Sequence, residues 1–126
     1  MVLALFIVLI LVMTLPCKVL EFPNDKYEVI TPVVKAGGEV TYRMQYEKFK
    51  PFVGTASKQL INDIVYSYLP AVGQASVGIT DKEVTLEIPD YISPGIYFIR
   101  TVYTYKVNAL KTVTYTHDTV TFEVVR

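Results

Sequence analysis

The stretch Glu39-Val-Thr-Tyr-Arg-Met-Gln-Tyr-Glu47 alternates apolar and polar residues without a break. A period of two is the signature of a β-strand that buries one face and exposes the other. Val40, Tyr42, Met44 and Tyr46 are therefore expected to face a core, and the residues between them to face water. A strand of this kind is typical of an antiparallel sheet with one solvated side.

The same alternation continues along the C-terminal half of the chain. Glu83 to Pro89 and Ile96 to Val107 each read as a strand, and a turn leads into a third strand from Lys111 to Val125. The apolar phase of this last strand slips by one residue along its length. Because such a slip would turn every later side chain to the wrong face, we predict a bulge or break at His117 and Asp118.

Two segments are more ambiguous. Tyr27 to Val34 is interrupted by Pro32, which suits a strand at the edge of a sheet, where one missing amide donor does no harm. Ser57 to Leu69 has apolar residues at helical spacing, with Ser57 as a candidate N-cap, but it also reads as a strand. Ten tyrosines and no tryptophan favour strands. We therefore expect one all-β domain over residues 27–126, with 57–69 as a strand.

The N-terminal residues 1–20, MVLALFIVLILVMTLPCKVL, are almost uniformly apolar. This length approaches the roughly 20 residues that cross a bilayer as a helix. The alternative is a cleaved signal segment, but Thr14 to Cys17 offer no small-residue cleavage site and no lipidation motif. We predict a single-pass transmembrane anchor over 1–20, a linker over 21–26, and a domain on the periplasmic or extracellular side.

Composition excludes several classes of function. Twelve basic and twelve acidic residues balance, which argues against nucleic acid as a partner. The single cysteine, Cys17, falls in the apolar segment, so no disulfide is expected. The single histidine, His117, has Asp118 on the opposite strand face, and no catalytic or phosphate-binding motif is present. We predict that the chain is not an enzyme and binds no cofactor or metal.

One motif predicts the kind of β-fold. In Ile88-Pro-Asp-Tyr-Ile-Ser-Pro-Gly-Ile-Tyr97 a strand ends in proline, a Pro94-Gly95 turn follows, and Tyr97 opens the next strand. This resembles the E to F corner of immunoglobulin-like sandwiches, where a tyrosine hydroxyl bonds to backbone a few residues upstream. The resemblance implies an antiparallel sandwich of immunoglobulin-like or fibronectin-III-like type, preceded by the N-terminal hydrophobic helix.

The whole layout is similar to small membrane-anchored immunoglobulin-like proteins of unknown role encoded by bacteriophages. The similarity rests on the apolar N-terminus and on four segments, namely Leu86-Glu-Ile-Pro89, Pro94-Gly-Ile-Tyr97, Tyr105-Lys-Val-Asn-Ala-Leu110 and Phe122-Glu-Val-Val125. This resemblance implies a phage or bacterial source but no activity.

The phase of the long strand also indicates a contact surface. If Tyr97 points inward, then Phe98, Arg100, Val102 and Lys106 point outward, and together they form an apolar pair between two cations. We expect a membrane-anchored interaction module that binds a protein or glycan there. The alternative is a structural, envelope-associated protein that forms homo-oligomers and acts with membrane partners during assembly or lysis.

Overall fold

The structure is a computed structural model that describes residues 4–5, 18–73 and 76–126. All eleven elements in these ranges are β-strands, so the all-β prediction is confirmed. The strands are β1 Leu20–Glu21, β2 Glu28–Val29, β3 Val33–Lys35, β4 Glu39–Lys48, β5 Gly54–Ile61, β6 Val65–Ser67, β7 Ala71–Val72, β8 Gly78–Glu87, β9 Gly95–Asn108, β10 Lys111–Asp118 and β11 Phe122–Val125.

The strands form two sheets. In the first, β4 is central, with β8 along one edge and the short strands β1 and β2 along the other. In the second, the order is β3, β11, β9, β5, β6, with β10 also on β9 and β7 also on β5. All pairs are antiparallel except β3 with β11. Pro32 lies where the chain passes from the first sheet to the second, since β2 and β3 flank it.

The core fills the space between the sheets. Val40 and Tyr42 of β4 and Tyr97 and Ile99 of β9 are buried in one cluster. The inward phase of β4 is therefore the one that the sequence predicts. A second buried cluster joins Val19 and Leu20 to the inward tyrosines of β9, Tyr103 and Tyr105. Burial of such large side chains supplies most of the driving force for folding.

The predicted N-terminal membrane helix requires a correction. Within 4–5, 18–73 and 76–126, no helix is long and apolar enough to cross a membrane, so the predicted membrane localisation is not supported. Most of the predicted anchor, residues 1–3 and 6–17, lies outside the described residues. Val19 and Leu20, which completed the predicted span, are 0% and 2% exposed in the sandwich. Hydropathy cannot separate these cases, because a core and a bilayer both select apolar residues.

Two local predictions are also refined. Residues 57–69 contain no helix; they form the end of β5 and all of β6, which pair as a hairpin. The irregularity predicted at His117 and Asp118 falls immediately after them. Between the pairs Asp118–Arg100 and Phe122–Tyr97, three residues oppose two. Thr119 closes this bulge by accepting a hydrogen bond from the Ile99 amide (3.0 Å).

Candidate functional site

The predicted contact surface lies on β9, whose side chains alternate between core and solvent. The odd-numbered residues from 97 to 105 are buried. Phe98, Arg100, Val102 and Lys106 lie on the outer face, where the predicted phase places them. Their exposure differs, since Lys106 is exposed and the other three are half-buried. The role of this face in binding stays a prediction.

The charge of Arg100 is balanced within that face. Its Nε donates to Oδ1 of Asp118 (2.9 Å) and a terminal nitrogen donates to Oδ2 (3.2 Å). The guanidinium carbon also lies 5.4 Å from the ring centroid of Phe98. A bidentate pair of this kind orients the arginine side chain. The Arg100 side chain is therefore held by Asp118 and Phe98. Lys106 is the exposed cation of the predicted surface.

The structure adds two apolar residues to this face. Ile61 of β5 pairs directly with Phe98 and also with Val65 of β6, which is 58% exposed. Directly paired residues project from the same side of a sheet. Val65, Ile61 and Phe98 therefore form an apolar row across three strands. The sequence could not show this row, because it depends on which strands pair.

The corner residues Pro94, Gly95 and Tyr97 lie at the start of β9. The Tyr97 hydroxyl donates to the carbonyl oxygen of Ser93 at 2.7 Å. Gly95 has a φ of 157°, and a Cβ there would lie 2.9 Å from Nδ2 of Asn62. Pro94 precedes it in the turn. This arrangement attaches the chain reversal to the start of β9.

Three lysines converge in a cleft on the open side of the sandwich, where β8 of one sheet faces β5 and β7 of the other. We call it the lysine cleft. Its volume is about 270 Å³. It is lined by Met44, Tyr46, Lys48, Gly54, Thr55, Ala56, Lys58, Ala71, Val72, Gly73, Ser76, Thr80, Lys82, Tyr103 and Tyr105.

Each lysine reaches the cleft because it occupies an inward position of its strand. Lys48 continues the phase of Tyr42 on β4 and is only 3% exposed. Lys82 pairs with the buried Met44. Lys58 on β5 pairs with the fully buried Thr101 of β9. Paired residues share a face, so all three side chains point between the sheets.

The cleft is electropositive. None of the described lining residues is acidic. Burial lowers the pKa of Lys48, and burial together with the charge of Lys82 lowers the pKa of Lys58. Nζ of Lys48 donates to the Phe52 carbonyl (2.5 Å) and lies 5.1 Å from the ring centroid of Tyr105. The site is therefore suited to an anion. Its negative charge would offset the free-energy cost of placing several ammonium groups close together where they are partly shielded from water.

The sequence interpretation missed this site because it considered net charge, which averages over the whole surface. A signal was nevertheless present. Lys48, Lys58 and Lys82 each occupy the apolar phase of an alternating strand, and lysine at an inward position requires an explanation. What the sequence could not show is that these three positions meet.

His117, the only histidine, lies on the inner face of β10. Its ring stacks on Phe22 with centroids 4.1 Å apart and planes 11° apart, and it lies edge-on to Tyr27. Burial lowers the pKa of His117, which favours the neutral ring. Its neighbour Asp118 faces outward to Arg100. The two side chains therefore do not form a catalytic couple.

No family model matches the chain, and no curated protein matches its sequence. Among solved structures, it is similar to part of Pseudomonas fluorescens alkylpurine DNA glycosylase AlkC, solved bound to DNA containing an abasic site analog. The TM-score is 0.50 and the identity 11%, over 94% of this chain and 33% of that chain. This chain thus spans about a third of the length of the glycosylase. At this identity the likeness shows the fold alone.

This likeness corrects two predictions. We expected the chain not to be an enzyme, and we expected its partners to be a membrane and a protein or glycan, with nucleic acid excluded. A similar fold occurs within a DNA glycosylase bound to DNA, so neither exclusion holds. The two exclusions rested on the absence of catalytic motifs and on a net charge of zero. Neither criterion detects a β-domain that is part of a larger enzyme, or one whose basic residues cluster at a single site.

Proposed function

We propose that the chain is an immunoglobulin-like binding domain. Support comes from the two-sheet arrangement, from the parallel pairing of β3 with β11 among otherwise antiparallel strand pairs, and from the Tyr97 hydroxyl bond to Ser93. In immunoglobulin-like sandwiches a tyrosine at this corner bonds to upstream backbone in the same way. The resemblance to phage-encoded immunoglobulin-like proteins stays a prediction.

The ligand that best fits the domain carries a phosphate group and binds in the lysine cleft. The observation behind this proposal is the convergence of Lys48, Lys58 and Lys82 in a space whose described lining contains no carboxylate. Lysine ammonium groups act as point charges and suit a tetrahedral oxyanion, whereas arginine suits a planar, bidentate one. AlkC, a third of whose chain is similar to this one, was solved bound to DNA, a phosphate-rich ligand, which supports the same class.

Another explanation of the lysines is protective. Charged residues that point inward at an open sheet edge discourage edge-to-edge pairing with another chain. On that view the cleft would carry the same residues but bind nothing. The two explanations differ in one measurable way, because only a binding site should distinguish phosphate from chloride at equal ionic strength.

The test is a titration of isotope-labelled chain 1–126 with inorganic phosphate, followed by NMR and matched in ionic strength with sodium chloride. We expect saturable shifts at Lys58, Thr80 and Lys82. Lys58→Met and Lys82→Met should each lower phosphate affinity by about tenfold or more, since a hydrogen bond to a charged group contributes about 1.5–3 kcal/mol. Lys106→Met, on the outer face of β9, is the matched control and should change affinity less than about twofold.

Two further ligands distinguish the source of the phosphate. An adenosine monophosphate that displaces inorganic phosphate and binds more tightly than a thymidine oligonucleotide would indicate a small phosphorylated molecule. Tighter binding of the oligonucleotide, with a strong dependence on salt, would indicate a nucleic-acid backbone. The proposal is wrong if phosphate and chloride act alike, or if the control variant Lys106→Met weakens binding as much as Lys58→Met does.

A further inference from the structure

A second groove lies at the opposite end of the open side, and its chemistry is the reverse of the lysine cleft. It has a volume of about 490 Å³ and lies beside the last residues of β8. We call it the tyrosine groove. It is lined by Gly37, Tyr66, Tyr68, Leu86, Glu87, Ile88, Pro89, Asp90 and Tyr91.

Three tyrosine rings form its walls at steep angles to one another. The rings of Tyr66 and Tyr68 are 5.0 Å apart at 81°, and those of Tyr66 and Tyr91 are 5.9 Å apart at 63°. The Tyr68 hydroxyl donates to the Glu87 carbonyl oxygen at 2.7 Å, which attaches this wall to β8. Tyr66 and Tyr68 also pack against the core, so two walls are held by the fold.

The third wall, Tyr91, is 70% exposed. An aromatic side chain left in solvent beside two other rings presents a π face, with its negative quadrupole, to whatever enters the groove. Cations bind such faces, and binding strengthens where several rings surround the charge. The ring geometry therefore favours a positively charged ligand.

The charged residues of the groove favour the same ligand. Glu87 and Asp90 are both exposed, and neither forms an ion pair with another described residue. The described lining contains no lysine, arginine or histidine. Gly37 has a φ of 82°, and a Cβ there would lie 3.3 Å from the Asp90 Cβ, so the absence of a side chain lets this turn approach Asp90. Two unpaired carboxylates beside three rings complement a cation.

We propose that the tyrosine groove binds an alkylated ammonium group, such as a quaternary ammonium. The rings provide a broad apolar surface of negative potential for the methyl groups, and Glu87 and Asp90 supply the balancing charge. A bare divalent ion fits less well, because no group of three or more metal-ligating side chains occurs in the described part of the chain. The site is about 17 Å along β8 from Lys82 at the strand rise of about 3.4 Å per residue, and it does not depend on the phosphate proposal.

The test compares two ligands of the same shape. Choline carries a trimethylammonium group, and 3,3-dimethyl-1-butanol carries an uncharged tert-butyl group in its place. Each is titrated into the full chain, and the tyrosine ring resonances are followed by NMR. We expect choline to shift the signals of Tyr66, Tyr68 and Tyr91 with at least about fivefold higher affinity than the neutral ligand, since a desolvated cation–π contact is favourable by this order.

Variants at exposed positions identify the contacts without threatening the fold. Tyr91→Phe keeps the ring and should retain choline affinity within about twofold, whereas Tyr91→Leu should lose about fivefold. Glu87→Gln should weaken choline and leave the neutral ligand unchanged. Glu83→Gln, an exposed carboxylate of the same strand outside the groove, is the matched control and should change neither ligand.

Several results would overturn the proposal. Equal affinity for choline and the neutral ligand would show a hydrophobic contact without recognition of charge. An equal loss in Tyr91→Phe and Tyr91→Leu would assign the effect to the hydroxyl rather than to the ring. Absence of ring shifts at high choline concentration, or the same weakening in Glu83→Gln as in Glu87→Gln, would show that the groove does not select this cation.

Discussion

Replacing Tyr97 with phenylalanine removes a single hydroxyl group from the corner at the start of β9. That hydroxyl donates to the Ser93 carbonyl oxygen at 2.7 Å, and the tyrosine is only 2% exposed. The ring itself remains, so its packing is unchanged. The loss is therefore one hydrogen bond whose acceptor is left without this partner, which costs about 1–2 kcal/mol of unfolding free energy. Ser93 is exposed, and hydration of its carbonyl places the expected cost toward the lower value.

Urea denaturation measures this directly. With a denaturant dependence of about 2 kcal/mol per molar, a loss of about 1–2 kcal/mol lowers the midpoint by roughly 0.5–1 M without changing the slope. Tyr91→Phe is the control, because Tyr91 is 70% exposed and its hydroxyl loss should cost less than about 0.5 kcal/mol. Equal midpoints for wild type and Tyr97→Phe would refute the structural role of the bond and remove the most specific support for the immunoglobulin-like assignment.

Three further predictions concern the two faces of the second sheet. Burial lowers the pKa of His117 in the folded chain. As pH falls through about 6.5, the unfolded chain therefore binds a proton at this histidine before the folded chain does, and the free energy of unfolding should decrease. The melting temperature of His117→Gln should decrease less over the same pH range. Ile99→Ala should lower the free energy of unfolding by about 2–4 kcal/mol. The double variant Phe98→Ser with Val102→Ser should lose less, because Ile99 is buried and the other two side chains are half-buried. An equal or larger loss in the double variant would place Phe98 and Val102 in the core. Gly54→Ala should destabilise by about 1–3 kcal/mol, since its Cβ would lie 2.5 Å from a backbone oxygen and from a tyrosine ring of β9; an unchanged melting temperature would contradict that contact.

The strands that were predicted well are those with a continuous period of two. β4 begins at the predicted residue and ends one residue later, and β9 is longer than predicted by one residue at each end. Their inward faces were predicted because burial on one side of a pleated strand leaves a pattern within a few consecutive residues. The segment at 57–69 was less clear, because a short apolar run fits both a helix and a hairpin, and the pairing of β5 with β9 decides between them.

The apolar N-terminus shows the limit of such patterns. Val19 and Leu20 were counted with the predicted anchor, yet they are buried in the sandwich beside Tyr103 and Tyr105. Residue-level hydropathy measures the cost of contact with water and not what replaces the water. The identity of the apolar surroundings is a tertiary property.

The sequence by itself determined that the domain is all-β, which residues of its regular strands face inward, and that Tyr97 lies at the start of the strand after the Pro94-Gly95 turn. Each of these is encoded over a few residues, where the pleat and the turn act directly. Only the tertiary structure decided that Lys48, Lys58 and Lys82 share one cleft and that Tyr66 and Tyr91 meet across another. The residues of each site come from different strands or turns, and their proximity is set by which strands pair and how the two sheets pack.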